Sequence, residues 1–258
     1  MKYIPKRFEL SPLEEIDLSK VDLSGGISIF VPAYNEEDNI ERAIRNSVEV
    51  LESITDNYEM LVVNDASTDR TREIVENLAV ENDRIKIINH EKNTRLGGAI
   101  KTGFTRTTKD IVFYCDADNP IDMWDVKRAL PLMADYDLVA GFRLQREERF
   151  YRLIYSFVYN TIVGLLFGIE SFDINFSFKL VKRSILNKIE LNSTGGFIDV
   201  EFIVEALLQK ARICRVGLRY FPRTAGVSTM ASFAVILKIL KEMWIYYKKF
   251  RKKRKDKS

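Results

Sequence analysis

Residues 27–38 read ISIFVPAYNEED, an apolar run that passes through Pro32 and Tyr34 into one amide and three acids. A run this short and this apolar fits a strand buried on both faces, and the polar cluster fits the loop beyond its carboxyl end. The pattern recurs as YEMLVVNDASTD at 58–69, IKIIN at 85–89, DIVFYCDADN at 110–119 and YDLVAG at 136–141. Between these runs, residues 39–51, 71–80, 98–105 and 124–133 carry helical period, so strand and helix alternate. That rhythm predicts an α/β fold whose central sheet is mostly parallel and flanked by helices, with right-handed crossovers. Ligands bind such sheets beyond the carboxyl ends of the strands. The clusters NEED, NDASTD and DADN fall there.

Working outward, the 258 residues are 46% hydrophobic and 30% charged, enough apolar material for a sizeable core and too much for a disordered chain. One main domain is expected. Forty Lys and Arg against 37 Asp and Glu give +3, a balance that points to no nucleic acid. The basic charge is concentrated: residues 248–258 carry net +7 and leave the other 247 at −4. Cys115 and Cys214 are too few for a disulfide framework or a cysteine zinc site, which suits a reducing compartment. The opening MKYIPKRFELSPLEEIDLS lacks the apolar core of a signal peptide, so a cytoplasmic location is expected.

Residues 1–26, ending in Gly25-Gly26, read as an N-terminal arm. Beyond Gly141 the rhythm changes to basic RLQREERFYR and then LIYSFVYNTIVGLLFGI, which is interrupted by Ser156, Asn160, Thr161 and Gly164. This predicts a buried or interfacial helix rather than a membrane span. In ASFAVILKILKEMWIYYKKF, one broad helical face holds Phe233, Val235, Ile236, Ile239, Leu240, Met243, Trp244 and Tyr247, with Lys238, Lys241, Ile245 and Lys248 opposite. An amphipathic helix with a basic tail, lying flat on an anionic membrane surface, is the expectation for 230–258.

Several residues bear on chemistry. Asp116 and Asp118, one residue apart after an apolar strand, form either an ordinary acidic turn or a pair that shares a hard divalent cation. Asp65 follows LVVN, where a carboxylate can accept hydrogen bonds from a nucleotide base; Ser67, Thr68 or Asp69 can cap the next helix. Gly97-Gly98 opens a helix after Asn93 and Arg95, a setting in which exposed amides can meet a phosphate. No glycine fingerprint for dinucleotides follows the first strand, and the single histidine, His90, reads as structural.

Together, VPAYNEEDN, VVNDASTDRT, NTRLGGAIKTGF and CDADN occur in the order and spacing of a family 2 glycosyltransferase with the GT-A nucleotide-sugar fold, which this chain resembles. Residues 27–229 would form the catalytic domain, with 143–170 on its acceptor side. AGFR at 140–143, the RLIYSFVYN run, DINFSFKL, GGFIDVE and FPRTAGVST look like the polyprenyl-phosphate glycosyltransferases of the dolichyl-phosphate mannose synthase type. The resemblance implies that Pro32, Tyr34, Glu36, Asp65, Asp116 and Ala117 line the nucleotide-sugar pocket. It implies that Asp116 and Asp118 hold Mg²⁺ or Mn²⁺ and that Arg143, Arg152, Ser156 and Arg223 receive the acceptor phosphate, with Asp116, Asp118 and Arg143 catalytic. Two positions depart from the pattern: Pro120 stands where the family often has Gln, and Thr229 where it commonly has Lys. Water, Asn119 or Asp122 would complete the metal shell.

The expected activity is inverting transfer of a hexose from a GDP-mannose or UDP-glucose type of donor to a polyprenyl phosphate, dolichyl or undecaprenyl, by a protein peripheral on the cytoplasmic membrane face. A transferase acting on a saccharide hydroxyl is the alternative, with Asp199 as its base. From another class comes a non-catalytic membrane adaptor built on the same scaffold.

Overall fold

The computed structural model describes residues 3–118, 120–145, 150–170, 173–221 and 233–256, with side chains described outside 150–155, 233–237 and 254–256. In chain order the elements are β1 (Lys6–Phe8), β2 (Ile27–Ala33), α1 (Ile40–Glu52), β3 (Tyr58–Asn64), α2 (Thr71–Glu81), β4 (Ile85–Asn89), α3 (Leu96–Arg106) and β5 (Ile111–Tyr114). They continue with α4 (Trp124–Ala129), β6 (Leu138–Arg143), α5 (Phe150–Phe167), β7 (Lys179–Lys182), α6 (Arg183–Leu186), α7 (Ile198–Leu208), β8 (Ile213–Leu218) and α8 (Phe233–Asp256). The eight strands form one sheet in the order β1-β8-β6-β7-β5-β2-β3-β4.

Every neighbouring pair is parallel except at β7, which runs antiparallel between β5 and β6. The alternation of each buried strand explains the layers. Ile29 and Val31 of β2, Met60 and Val62 of β3, and Ile111 and Phe113 of β5 face a core shared with α1, α2 and α4. Phe30, Leu61, Val63, Val112 and Tyr114 face the opposite core, shared with α3, α5, α7 and α8. Gly103 lets α3 approach closely, because a Cβ there would lie 2.1 Å from the Phe30 ring.

The five strands expected from sequence are all present, and the four helices differ only at their ends; 130–134 tightens into a 3₁₀ turn after α4, with Pro131 near its start. The N-terminal arm does more than lead in. Its residues 6–8 pair with Cys214–Val216 of β8 as an edge strand, and Tyr3 forms an isolated bridge to Ile169. Strands β7 and β8 were not expected.

Helix α8 differs from its expected arrangement. Met243, Tyr246 and Phe250 are buried against Phe167 and Phe197, so part of the face expected to meet a membrane packs on the protein itself. Glu205 of α7 fixes the contact, accepting hydrogen bonds from Tyr246 at 2.7 Å and from Lys253 at 2.7 Å. The helix also runs through the basic stretch to Asp256. Among the described residues no helix is long and apolar enough to cross a membrane.

Candidate active site

The loops after β2 and β3 are laced together by their own side chains. Asn35 and Ala66 both take left-handed backbone conformations, with φ of 55° and 61°. The Asn35 amide donates to Ser67 Oγ at 3.0 Å, and Asn35 Oδ1 accepts from the Thr68 amide at 2.8 Å. The Glu36 amide donates to Thr71 Oγ1 at 2.8 Å, and the Glu37 amide to Asp69 Oδ2 at 3.1 Å. Asp69 Oδ1 also accepts from the Thr71 amide and hydroxyl, the cap expected at this helix start. Burial opposes ionisation of Asp69, yet these bonds from Thr71 and Glu37 outweigh it and hold its pKa below the ordinary value. The NEED and NDASTD clusters therefore shape one rim. Glu36 belongs to it through its amide, and Pro32 and Tyr34 lie just before it in the chain, with Tyr34 exposed.

Asp65 lies at the base of that rim, 3% exposed, with its amide donating to Ala33 O at 2.9 Å. Its Oδ1 accepts from the Thr94 amide at 2.8 Å and the Thr94 hydroxyl at 2.7 Å, and lies 2.6 Å from His90 Nδ1. His90 Nε2 in turn meets Thr102 Oγ1 at 2.9 Å. Gly98 makes room for this arrangement, since a Cβ there would lie 2.2 Å from Thr94 Oγ1. Gly97 packs on the backbone of Ser193 and Thr194, and its amide donates to Thr194 O at 3.0 Å. That amide is therefore committed to the protein rather than held open for a phosphate, as the glycine pair had suggested.

The acidic turn follows β5. Burial, followed by the neighbouring charge of Asp118, pushes Asp116 up to about 7, against the opposing hydrogen bond of Ser177. Tyr114 donates to Asp116 Oδ1 at 3.3 Å. Two carboxylates one residue apart, one of them raised by burial and by the charge of the other, form a hard-oxygen donor set that a divalent cation would satisfy. No third His, Cys, Asp or Glu joins them in a metal-holding group among the described residues. Asn119 lies outside the described residues, and Asp122 Oδ1 accepts from the Trp124 amide at 3.1 Å.

Lys179 of β7 pairs in register with both Tyr114 and Ala140, which carries its side chain behind the acidic turn. There it forms a buried ion pair with Asp199, donates to Phe176 O at 2.6 Å and lies 5.7 Å from the centre of the Tyr114 ring. Burial raises Asp199 above the ordinary carboxylate value while Lys179 opposes the rise. Glu201, one helical position pair further on, accepts the amides of Asn192 at 2.9 Å and Ser193 at 2.7 Å. In GGFIDVE the two acids thus hold β7 and the loop that packs on Gly97.

Arg143 ends β6 on the same edge of the sheet. Its Nε and Nη2 donate to Asp173, at 3.0 and 2.6 Å, and its amide to Asp173 Oδ2 at 2.7 Å. The guanidinium lies 5.2 Å from the centre of the Tyr220 ring and 5.8 Å from that of Phe176. Ser156 Oγ accepts from Asn160 one turn along α5 at 3.1 Å. The Arg152 side chain and Arg223 lie outside the described residues, although the chain reaches Phe221 beside the acidic turn, where its amide donates to Pro120 O at 2.9 Å. Asp173 and Lys179 were missed as functional residues. The alternation of Phe176, Phe178 and Leu180 was the available signal for β7, and a lysine on its other face marks a buried partner.

Residues 28–190 match the family described as Glycosyl transferase family 2. The chain belongs to that family. Glycosyltransferase AglD of Haloferax volcanii is 29% identical over 209 residues, which cover 76% of this chain and 33% of that protein. The chain thus spans about a third of the length of this curated relative. Among solved structures, glucosyl-3-phosphoglycerate synthase from Mycobacterium tuberculosis in complex with Mn²⁺, uridine diphosphate and glucosyl-3-phosphoglycerate superposes with a TM-score of 0.69. It is 19% identical, with 92% of this chain and 87% of that one covered. The same enzyme with Mg²⁺ and uridine diphosphate gives a TM-score of 0.68 at 19% identity, covering 92% and 86%. These likenesses show the GT-A fold.

Proposed function

We propose that this chain is the catalytic unit of a metal-dependent, inverting hexosyltransferase that uses a nucleotide sugar as donor and a polyprenyl phosphate as acceptor. The observation that carries it is the arrangement on one sheet edge: Asp65 in the laced rim, the Asp116–Asp118 pair after β5, and Arg143 anchored after β6. Asp65 receives the base and the rim holds the ribose and diphosphate. Asp116 and Asp118 would hold Mg²⁺ or Mn²⁺, the remaining ligands being diphosphate oxygens and water; when bound, the ion stabilises negative charge on the departing diphosphate.

An acceptor phosphate oxygen forms the new bond to the anomeric carbon as the carbon–oxygen bond to the nucleoside diphosphate breaks, its electron pair leaving with the diphosphate. A phosphate monoester is largely ionised at neutral pH, so attack needs no strong base. The Asp173 grip and the two flanking rings fix the Arg143 guanidinium in place, and its charge would orient that phosphate. The burial of Asp199 in an ion pair with Lys179 favours this over the saccharide-hydroxyl alternative, which needs Asp199 as an accessible base.

A membrane-facing surface suits a lipid acceptor. On α5, Phe157 is 73% and Leu165 81% exposed, while α8 presents Trp244 and Ile245 beside exposed Lys248, Lys249, Arg251 and Lys252. The test is incubation of the protein with Mn²⁺, a panel of nucleotide sugars and a short polyprenyl phosphate, with the product identified by mass. A hexosyl phosphoryl lipid is expected; transfer to a soluble saccharide with none to the lipid would replace this acceptor.

A further inference from the structure

We propose that Thr94 and His90 together are positioning residues that commit one oxygen of Asp65, leave it the other with which to read the donor base, and so select uracil over guanine. The inference rests on the assignment of a nucleotide-sugar donor and of Asp65 to its base. It starts from the hydrogen-bond inventory of one carboxylate. Asp65 Oδ1 meets three groups of its own chain: the Thr94 amide, the Thr94 hydroxyl and His90 Nδ1, at 2.8, 2.7 and 2.6 Å. A carboxylate oxygen has two lone pairs, so any two of these three saturate Oδ1, and the Thr94 hydroxyl also lies 3.0 Å from His90 Nδ1. No described residue donates to Oδ2.

The tautomer follows from the partners. Oδ1 is an acceptor, so Nδ1 of a neutral His90 carries the proton; Nε2 then accepts from the Thr102 hydroxyl at 2.9 Å. Thr102 stands on α3, which Gly103 seats against the sheet, and Thr94 is held over Gly98. The carboxylate is therefore gripped from two elements and cannot turn its second oxygen without breaking bonds that are nearly dry, the His90 side chain being 13% exposed and that of Asp65 4%.

Base chemistry completes the inference. Guanine presents N1–H and N2–H side by side, and a carboxylate reads that edge with both oxygens. Uracil presents one imino N3–H between two carbonyls, and a single oxygen suffices. With Oδ1 committed, guanine would bury one donor without its carboxylate partner, a loss of about tenfold or more in affinity relative to uracil.

The test is isothermal titration of the full chain with uridine diphosphate and with guanosine diphosphate, each with Mn²⁺. The wild-type protein is expected to bind the uridine compound at least about tenfold more tightly. His90→Phe combined with Thr94→Val, which leaves Oδ1 only the Thr94 amide, is expected to bring the ratio to within about threefold, whereas His90→Phe alone, with both Thr94 donors in place, retains it. Should the double variant fail to fold, Thr102→Val with Thr94→Val, which keeps the His90 ring but removes its partner at Nε2, is expected to lower the same ratio. Wild-type protein that binds guanosine diphosphate as tightly as uridine diphosphate overturns the inference while leaving the donor assignment standing. A folded double variant with an unchanged ratio overturns the role of the two side chains. If neither nucleotide binds, the donor assignment itself fails, and the inference with it.

Discussion

Truncating Asp199 to alanine removes one half of an ion pair whose side chains are 1% and 5% exposed, leaving the Lys179 ammonium with Phe176 O as its remaining described hydrogen-bond partner. Breaking a buried pair from one side costs about 3–5 kcal/mol, because the surviving charge has no solvent to return to. At about 2–4 °C per kcal/mol for a chain of this size, the melting temperature falls by roughly 6–20 °C. Replacing both partners by apolar groups of similar volume, Lys179→Met with Asp199→Leu, removes both charges. That protein is expected to return to within about 1 kcal/mol of the parent in equilibrium urea unfolding. A single variant as stable as the parent, or a double variant as unstable as the single, would refute the pairing as a structural element. The same residue decides between acceptors. An Asp199→Asn protein that melts within about 2 °C of the parent, less than the shift expected for 1 kcal/mol, yet transfers no sugar would make Asp199 a base.

Asp118→Ala is expected to lower sugar transfer about a hundredfold or more, with little change in the melting curve, since it removes one of the two carboxylates proposed to hold the metal; unchanged turnover in a metal-dependent assay counts against the site. Glu59 is buried at 2% exposure, and although burial opposes its ionisation, bonds from Ser28, the Thr108 amide and Lys86 hold its pKa below the ordinary value. A depressed folded pKa gives stability that is present above the unfolded pKa, about 4.3, and is lost as pH falls through the folded value. Glu59→Gln should therefore be less stable than the parent at pH 7, with the gap closing in acid; a gap that is constant with pH would exclude an ionised Glu59. Gly103→Ala forces a methyl into the fully buried Phe30 ring and should cost about 1–3 kcal/mol in urea unfolding. Changing exposed Lys248, Lys249, Arg251 and Lys252 together to Gln should weaken binding to anionic liposomes at low salt, by up to about 1 kcal/mol per charge, and leave neutral liposomes unaffected. Equal binding of parent and variant to anionic liposomes would exclude an electrostatic contact through these residues.

What was legible in the sequence follows from burial on two faces. Strands such as YEMLVVN and DIVFYC are apolar at nearly every position, so neither register nor partner had to be known before they could be recognised. β1 is the opposite case: KRF is short and charged because it lies at the sheet edge, and a three-residue edge strand is invisible to periodicity. β8, ICRVGL, carries a buried arginine, and β7 has its lysine pointing inward, so both break the apolar pattern for reasons found only in the fold. On α8 the wheel gave one broad apolar face where the structure divides it: Met243 turns to the core, joined by Tyr246 from outside that face, and Trp244 turns away. Helical period alone cannot tell which of two apolar flanks meets protein. At the site, the acids were visible as clusters at strand ends, but nothing in the local sequence of His90, which reads as structural, marks Asp65, 25 residues away, as its partner.

The electrostatics of the sheet edge divide the charged groups into two kinds. Lys179 faces Asp199 and Arg143 faces Asp173, each pair of opposite sign and held by further bonds, so these charges are fixed in position before substrate arrives. Asp116 and Asp118 are of like sign, and it is here that burial and the neighbouring charge bring a carboxyl to about 7. Opposite pairs make the edge rigid, while a like pair creates a demand that a cation meets. The lysine behind the acidic turn does not remove that demand, because Asp199 already engages it from the far side and adds its own negative charge to the environment of Asp116. Were Lys179 instead turned onto Asp116, the turn would be neutralised from within and a divalent ion would have to displace an ammonium to enter. The pairing of Lys179 with Asp199 thus leaves the acidic turn open to the metal proposed for it, which ties two buried charges of the second half of the chain to the chemistry proposed for the first.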